Sequence, residues 1–141
     1  MNIFVTNECP IKSARYLDDK RVVKMVLESA QLLCSVFHEV EINGGLITES
    51  DIPYKVSHAN HACSKWARHS WHNFDWILRH GFALSTEYTN RYGKIHKCLD
   101  VLKWCRHWSF TLCFENEGLK PFLNYAKNNI ELLNIRMRET D

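Results

Sequence analysis

Long apolar runs are missing from this 141-residue chain. No stretch approaches the roughly 20 residues that a membrane-crossing helix needs, so no membrane partner is expected. The opening "MNIFVTNECP" has no basic segment followed by an apolar core, and it does not read as a signal peptide. A strong excess of one charge is missing too: 18 Lys and Arg stand against 16 Asp and Glu, for a net charge of +2. That balance permits a nucleic-acid partner without announcing one. Eight histidines add positive charge only below about pH 6.5. There is no repeat, no low-complexity tract, no CxxC and no HExxH. With 45% hydrophobic and 24% charged residues the chain has the make-up of a folded protein, not a disordered one.

What is present is helical periodicity. The whole chain, 1–141, reads as one all-α domain: a bundle of about four to five helices behind an extended N-terminal arm, "NIFV", closed by Pro10. An opening helix from about Ser13 or Asp18 to His38 carries an apolar stripe of Val22, Val26, Leu33 and Phe37. Residues 39–61 hold two adjacent glycines, a proline and many turn formers, and read as a loop. From about Asn60 the pattern is helical again to Gly93, with Gly81 expected to kink or end it, because a mid-helix glycine costs about 1 kcal/mol. A third helical region covers 95–108, and 109–118 is ambiguous. Lys120 and Pro121 look like the start of a last helix with Phe122, Ala126, Ile130, Leu133 and Met137 as its buried stripe. Most of the six cysteines sit inside apolar helical patterns, where a reduced thiol behaves as a small hydrophobe. A reducing cytoplasm follows as the expected compartment, the host's if the chain is viral.

Four constellations bear on chemistry. Lys20, Lys24 and Glu28 stack at four-residue steps on the polar face of the opening helix, with Gln31 beyond. This is either a surface ion-pair ladder or the carboxylate of a DNA-processing site. His58, His61, Cys63, His69 and His72 offer imidazole and thiol, but nothing completes a four-ligand zinc set, so no metal and no cofactor is expected. Trp66, Trp71, Trp76, Trp104 and Trp108 are candidates for base stacking, although tryptophans at helical spacing mostly fill interiors. Finally Lys20, Arg21, Lys24, Lys65, Arg68, Arg91 and Lys94 would converge if the first two long helices turned their polar faces to one groove; otherwise they are dispersed solvated charges.

The stretch "DKRVVKMVLE", Asp19 to Glu28, resembles the corresponding helix of the small phage and bacterial pyrimidine-dimer DNA glycosylases with abasic-site lyase activity. "SHANHACSKW" is similar to that family's loop ending in a histidine before a long helix, and "ILRHGFALSTEYTNRYGKI" to its bacterial branch. The likeness covers residues 1–97; residues 98–141 diverge and lack the family's aromatic, basic tail. The resemblance implies that the α-amine of the processed N-terminus attacks C1′ of a deoxyribose, displaces the base and forms a Schiff base. An α-amine titrates near 7.7–8.0, so about a tenth or more of it is neutral at pH 7. That amine would belong to Met1 or, after processing, Asn2. Glu28 matches the family's glutamate and would stabilise positive charge developing on the sugar. Arg21 stands where the family has histidine. Lys20, Arg21, Lys24, His61, Lys65 and Arg68 are the expected phosphate and sugar contacts. The partner is damaged or modified DNA with the target nucleotide extruded, or alternatively a single nucleotide held or cleaved by a viral-type protein without repair activity. A protein-interaction domain and, more distantly, a zinc hydrolase are further readings.

Overall fold

Asp18 decides where the first long helix begins. The chain leaves a short helix, α1 (Pro10–Tyr16), through extended backbone at Leu17 and Asp18. The Asp18 carboxylate then accepts the Arg21 N–H at 2.9 Å, capping one of the N–H groups that a helix start leaves unpaired. α2 (Asp19–Glu39) follows, so the single opening helix expected from about Ser13 or Asp18 is in fact two. Its stripe is as anticipated, with Val22, Val26, Leu33 and Phe37 all buried.

The computed structural model describes residues 3–122, in which five α-helices and one two-stranded ribbon are found. The fold is all-α in character. No helix among the described residues is long and apolar enough to cross a membrane.

Residues 60–93 were expected as one helix with a defect at Gly81. The break instead falls at Ser70, between α3 (Ala62–His69) and α4 (Trp71–Tyr92). Ser70 is extended, and its hydroxyl accepts the Asn73 N–H at 3.1 Å. The next two donors, Trp71 and His72 N–H, reach the carbonyls of Asn116 (3.0 Å) and Glu117 (2.9 Å). The new helix start is thereby satisfied by a distant strand of chain as well as by its cap. Gly81 neither kinks nor ends α4. It is buried where α4 crosses its neighbours: a Cβ there would lie 3.0 Å from Leu102 Cδ2 and 3.4 Å from Ser29 Cβ. Glycine is tolerated because the packing gain from close approach outweighs its helix penalty.

α5 (Leu99–Trp108) ends in a 3-10 turn, Ser109–Thr111, and the ambiguous segment beyond it becomes β2 (Leu112–Cys113). β2 pairs antiparallel with β1 (Glu41–Ile42), which begins the long loop after α2. That loop is built rather than slack. It holds two 3-10 turns, Asn43–Gly45 and Glu49–Asp51, the second closed by a reciprocal Thr48–Asp51 cap. Gly44 and Gly45, at φ +67° and +63°, take a left-handed path that other residues resist.

The core lies between α2 and α4, with α1, α3 and α5 around them. Phe37 sits edge-on to Phe74 (6.0 Å) and Trp104 (4.9 Å). Trp76 Nε1 donates to the Glu8 carbonyl at 2.7 Å and ties α4 to the chain ahead of α1. Ile3 and Val5 are buried, so the N-terminal arm is packed in rather than projecting. The last helix expected from Lys120 has not begun by Phe122: Lys120 N–H donates to Asn73, and the Pro121 carbonyl accepts from Trp66 Nε1 at 2.9 Å. Ala126, Ile130, Leu133 and Met137 lie outside the described residues. No disulfide joins the six cysteines, and the buried Cys34 and Cys105 sulfurs face each other at 3.9 Å.

Candidate active site

Helix geometry sorts the polar face of α2 into three bands. At 100° per residue, Asp19 and Glu28 fall on opposite sides of the axis, and Lys20, Lys24 and Gln31 lie between them. Each band meets a different part of the fold.

On the Glu28 side stand α3 and the beginning of the chain. Glu28 is half-buried, with its Oε2 shielded from solvent. Its charge reaches the thiol of Cys63, in the first turn of α3. Burial pushes that thiol up, the Ile3 N–H bonded to the sulfur pulls it down, and Glu28 raises it further. Ile3 is itself buried. One small region thus gathers the first described residue, the helical carboxylate and the start of α3. Arg21, also on this side, holds the Asp18 carboxylate at 2.5 Å and lies over the Phe4 ring at 5.6 Å.

His61 is the cap of α3. Its Nδ1 accepts the Cys63 N–H at 3.1 Å, which leaves the proton of the neutral ring on Nε2 as an available donor. Arg68 Nη1 reaches back to the Ala59 carbonyl at 2.6 Å and braces the loop in front of His61. Lys65, one turn beyond His61, is exposed, as are Lys20 and Lys24 on α2.

On the Asp19 side the α4–α5 connection closes the other flank. Tyr92 Oη donates to the Asp19 carbonyl at 3.1 Å, and His96 Nε2 donates to the Val23 carbonyl at 3.2 Å. Burial lowers the His96 pKa. The open band holding Lys20 and Lys24 therefore runs as a strip between two walls.

Not every candidate joins it. Arg91 is spent on structure: its guanidinium donates to the carbonyls of Arg15 (2.9 Å) and Leu17 (2.8 Å) and pairs with Asp19 and Glu87, each at 2.9 Å. His58 pairs with Ser57 Oγ at 2.7 Å. Among the described residues no three His, Cys, Asp or Glu side chains gather as a metal-ligand group. Trp66 and Trp76 are buried in the core, and half-buried Trp71 and Trp104 pack their rings against it. Met1 and Asn2 lie outside the described residues. Sequence reasoning missed Ile3, Phe4 and His96 as neighbours of the strip, and weighed Cys63 only as a metal ligand. Only Cys63 carried a signal, as an apolar-face residue two positions after a capping histidine.

The fold is thus a small helical bundle in which α2 sets a half-buried glutamate near the first described residues and exposed lysines alongside it. A family model described as pyrimidine dimer DNA glycosylase matches residues 1–100, which run from the arm into the first turn of α5. The chain belongs to the pyrimidine dimer DNA glycosylase family. Searches of the curated proteins and of the solved structures find no significant match. Membership carries the general function, DNA glycosylase, and DNA as the substrate.

Proposed function

We propose that the protein cleaves an N-glycosidic bond in damaged or modified DNA and then the strand itself, through a Schiff base on its own α-amine. The amine is that of Met1 or of Asn2. Its lone pair forms the N–C1′ bond as the glycosidic bond breaks, and the base departs with the electron pair and takes up a proton. The C1′–O4′ bond then breaks, O4′ takes up a proton, and the opened sugar is left as the iminium. Removal of a C2′ proton then expels the 3′ phosphate, and hydrolysis returns the amine.

Glu28 has two tasks in this sequence. Its carboxylate stabilises the positive charge that grows on the sugar as the base leaves, and it then takes the C2′ proton. Partial burial strengthens the first effect by keeping water from screening it. His61, through Nε2–H, together with Arg21, Lys20, Lys24 and Lys65, holds the phosphates along the strip. Arg68 contributes by fixing the loop that carries His61.

The observation that carries this reading is the convergence at Cys63. Its sulfur accepts the N–H of Ile3, two residues from the chain's beginning, and senses the charge of Glu28. An amine nucleophile acting with Glu28 has to come close to that carboxylate, and the Ile3–Cys63 bond in the same neighbourhood supports this.

The test is borohydride reduction in the presence of duplex DNA containing an abasic site, followed by mass spectrometry of the digested adduct. The expected result is a covalent sugar adduct on the N-terminal residue, abolished when the α-amine is acetylated beforehand. An adduct on a lysine, or none on any damaged duplex, overturns the mechanism.

A further inference from the structure

The far end of α2 carries charge of the opposite sign to its beginning. Residues 39–54 hold Glu39, Glu41, Glu49 and Asp51 and no Lys, Arg or His. Glu39 stands in the last turn of the helix, whose free carbonyls already make that end negative. A cavity of about 360 Å³ opens here, aliphatic where Val40, Ile42 and Ile52 line it and polar at His38, Glu39 and Glu49. Its volume is at the small end of the roughly 300–1,000 Å³ typical of small-molecule sites.

Every polar side chain of that lining offers an acceptor. The His38 side chain is 7% exposed, and its Nε2 donates to the Tyr54 carbonyl at 2.9 Å, so in the neutral ring Nδ1 carries a lone pair. Nδ1 stands 3.9 Å from Glu49 Oε1, too far for a hydrogen bond, and it has no donor among the described residues. Glu39 and Glu49 are exposed, and neither pairs with a Lys or Arg among the described residues. Lys55 is exposed and does not line the cavity.

A buried imidazole acceptor, two carboxylates and a helix C-terminus around an aliphatic floor lack a positively charged donor on an apolar stem. We infer that this cavity binds a small aliphatic polyamine. Its methylene chain lies over Val40, Ile42 and Ile52, and its ammonium groups are shared among His38 Nδ1, Glu39 and Glu49. An ammonium has three donors and no acceptor, which complements this lining, and two of them on one chain answer two carboxylates. The site lies about 15 Å along α2 from Glu28, at 1.5 Å per residue, and shares no residue with the lysine strip.

The experiment titrates spermidine into the full chain by calorimetry, without DNA, at about 150 mM salt to screen diffuse attraction. One site with a Kd of about 10–100 μM is expected. Glu39→Gln and Glu49→Gln should each weaken it about tenfold, with thermal unfolding unchanged for such exposed positions. Asp100→Asn, which removes an exposed charge on α5 outside the cavity, should leave the affinity as it is. The NMR resonance of His38 Nδ1 should move on saturation, as its lone pair gains a donor. Absence of saturable binding, or an unmoved His38 resonance, overturns the site. Equal weakening by Asp100→Asn overturns it too, by reducing the binding to general attraction between opposite charges. A lysine-rich peptide that binds where spermidine does not would refute the polyamine and mark the cavity as a protein contact.

Discussion

Acid should destabilise this protein through one histidine above all. His80, on α4, is enclosed: Nδ1 donates to the Pro10 carbonyl at 3.0 Å, and the ring stacks on Trp76 with centroids 4.8 Å apart. Nε2 is buried with no hydrogen-bond partner, so a proton added there would put a charge where neither water nor an acceptor can meet it. Burial accordingly pushes the His80 pKa from an ordinary 6.5 down to about 4, against a smaller opposing pull from the Pro10 carbonyl. Between those two values the unfolded chain binds a proton that the folded chain refuses. Stability from this site is therefore complete above pH 6.5 and falls as the pH drops toward 4, by about 3 kcal/mol in all. Urea unfolding of wild type and His80→Leu at pH 7 and pH 4.5, followed by tryptophan fluorescence, isolates the effect from the carboxylates both proteins share. The variant loses the Pro10 bond and should be the weaker protein at pH 7. At pH 4.5 the gap should close or reverse, moving by about 2–3 kcal/mol. A gap that stays within about 0.5 kcal/mol of its pH 7 value would refute the argument that buried neutral His80 governs acid stability.

Two further perturbations test the frame that holds the strip. Gly81→Ala should lower stability by about 1–2 kcal/mol despite alanine's better helix propensity, because its Cβ meets Leu102 Cδ2 at 3.0 Å; a stabilised variant in urea unfolding would contradict the close-packing explanation. Arg91→Lys should cost about 2 kcal/mol and speed amide exchange at the α1–α2 junction, since an ammonium cannot serve the Arg15 and Leu17 carbonyls together with two carboxylates. Unchanged exchange there would show that the guanidinium contacts do not hold the junction.

Much of this arrangement can be read from residue order. The stripe of α2 and the stacked Lys20, Lys24 and Glu28 follow from a 3.6-residue period, and burial of Val22, Val26, Leu33 and Phe37 bears the period out. What periodicity does not record is where a helix stops while the apolar pattern continues. Ser70 interrupts such a pattern through extended backbone, its hydroxyl cap and the Asn116 and Glu117 carbonyls, and Leu17 and Asp18 do so through extended backbone and a cap. Gly81 misleads for the opposite reason: its local penalty is visible, whereas the approach of Leu102 and Ser29 that rewards it is tertiary. β1 and β2, two residues each, are too short to leave an alternation. At the site the same division holds. Glu28, His61 and the lysines were legible as residue types at suggestive spacings. The contact of Ile3 with Cys63, and the spending of Arg91 on carbonyls 74 and 76 positions away, depend on three-dimensional packing alone.

The central claim is that Glu28, near the first described residues, is the carboxylate on which turnover depends. Glu28→Gln keeps the shape and removes the charge. Single-turnover cleavage of duplexes carrying a cyclobutane pyrimidine dimer or an abasic site, measured alongside duplex affinity and thermal unfolding, reads this directly. The account predicts a fall in rate of at least about 100-fold with affinity and unfolding close to wild type. A variant that cleaves both duplexes within about threefold of wild type, equivalent to under 1 kcal/mol of activation free energy, would contradict it.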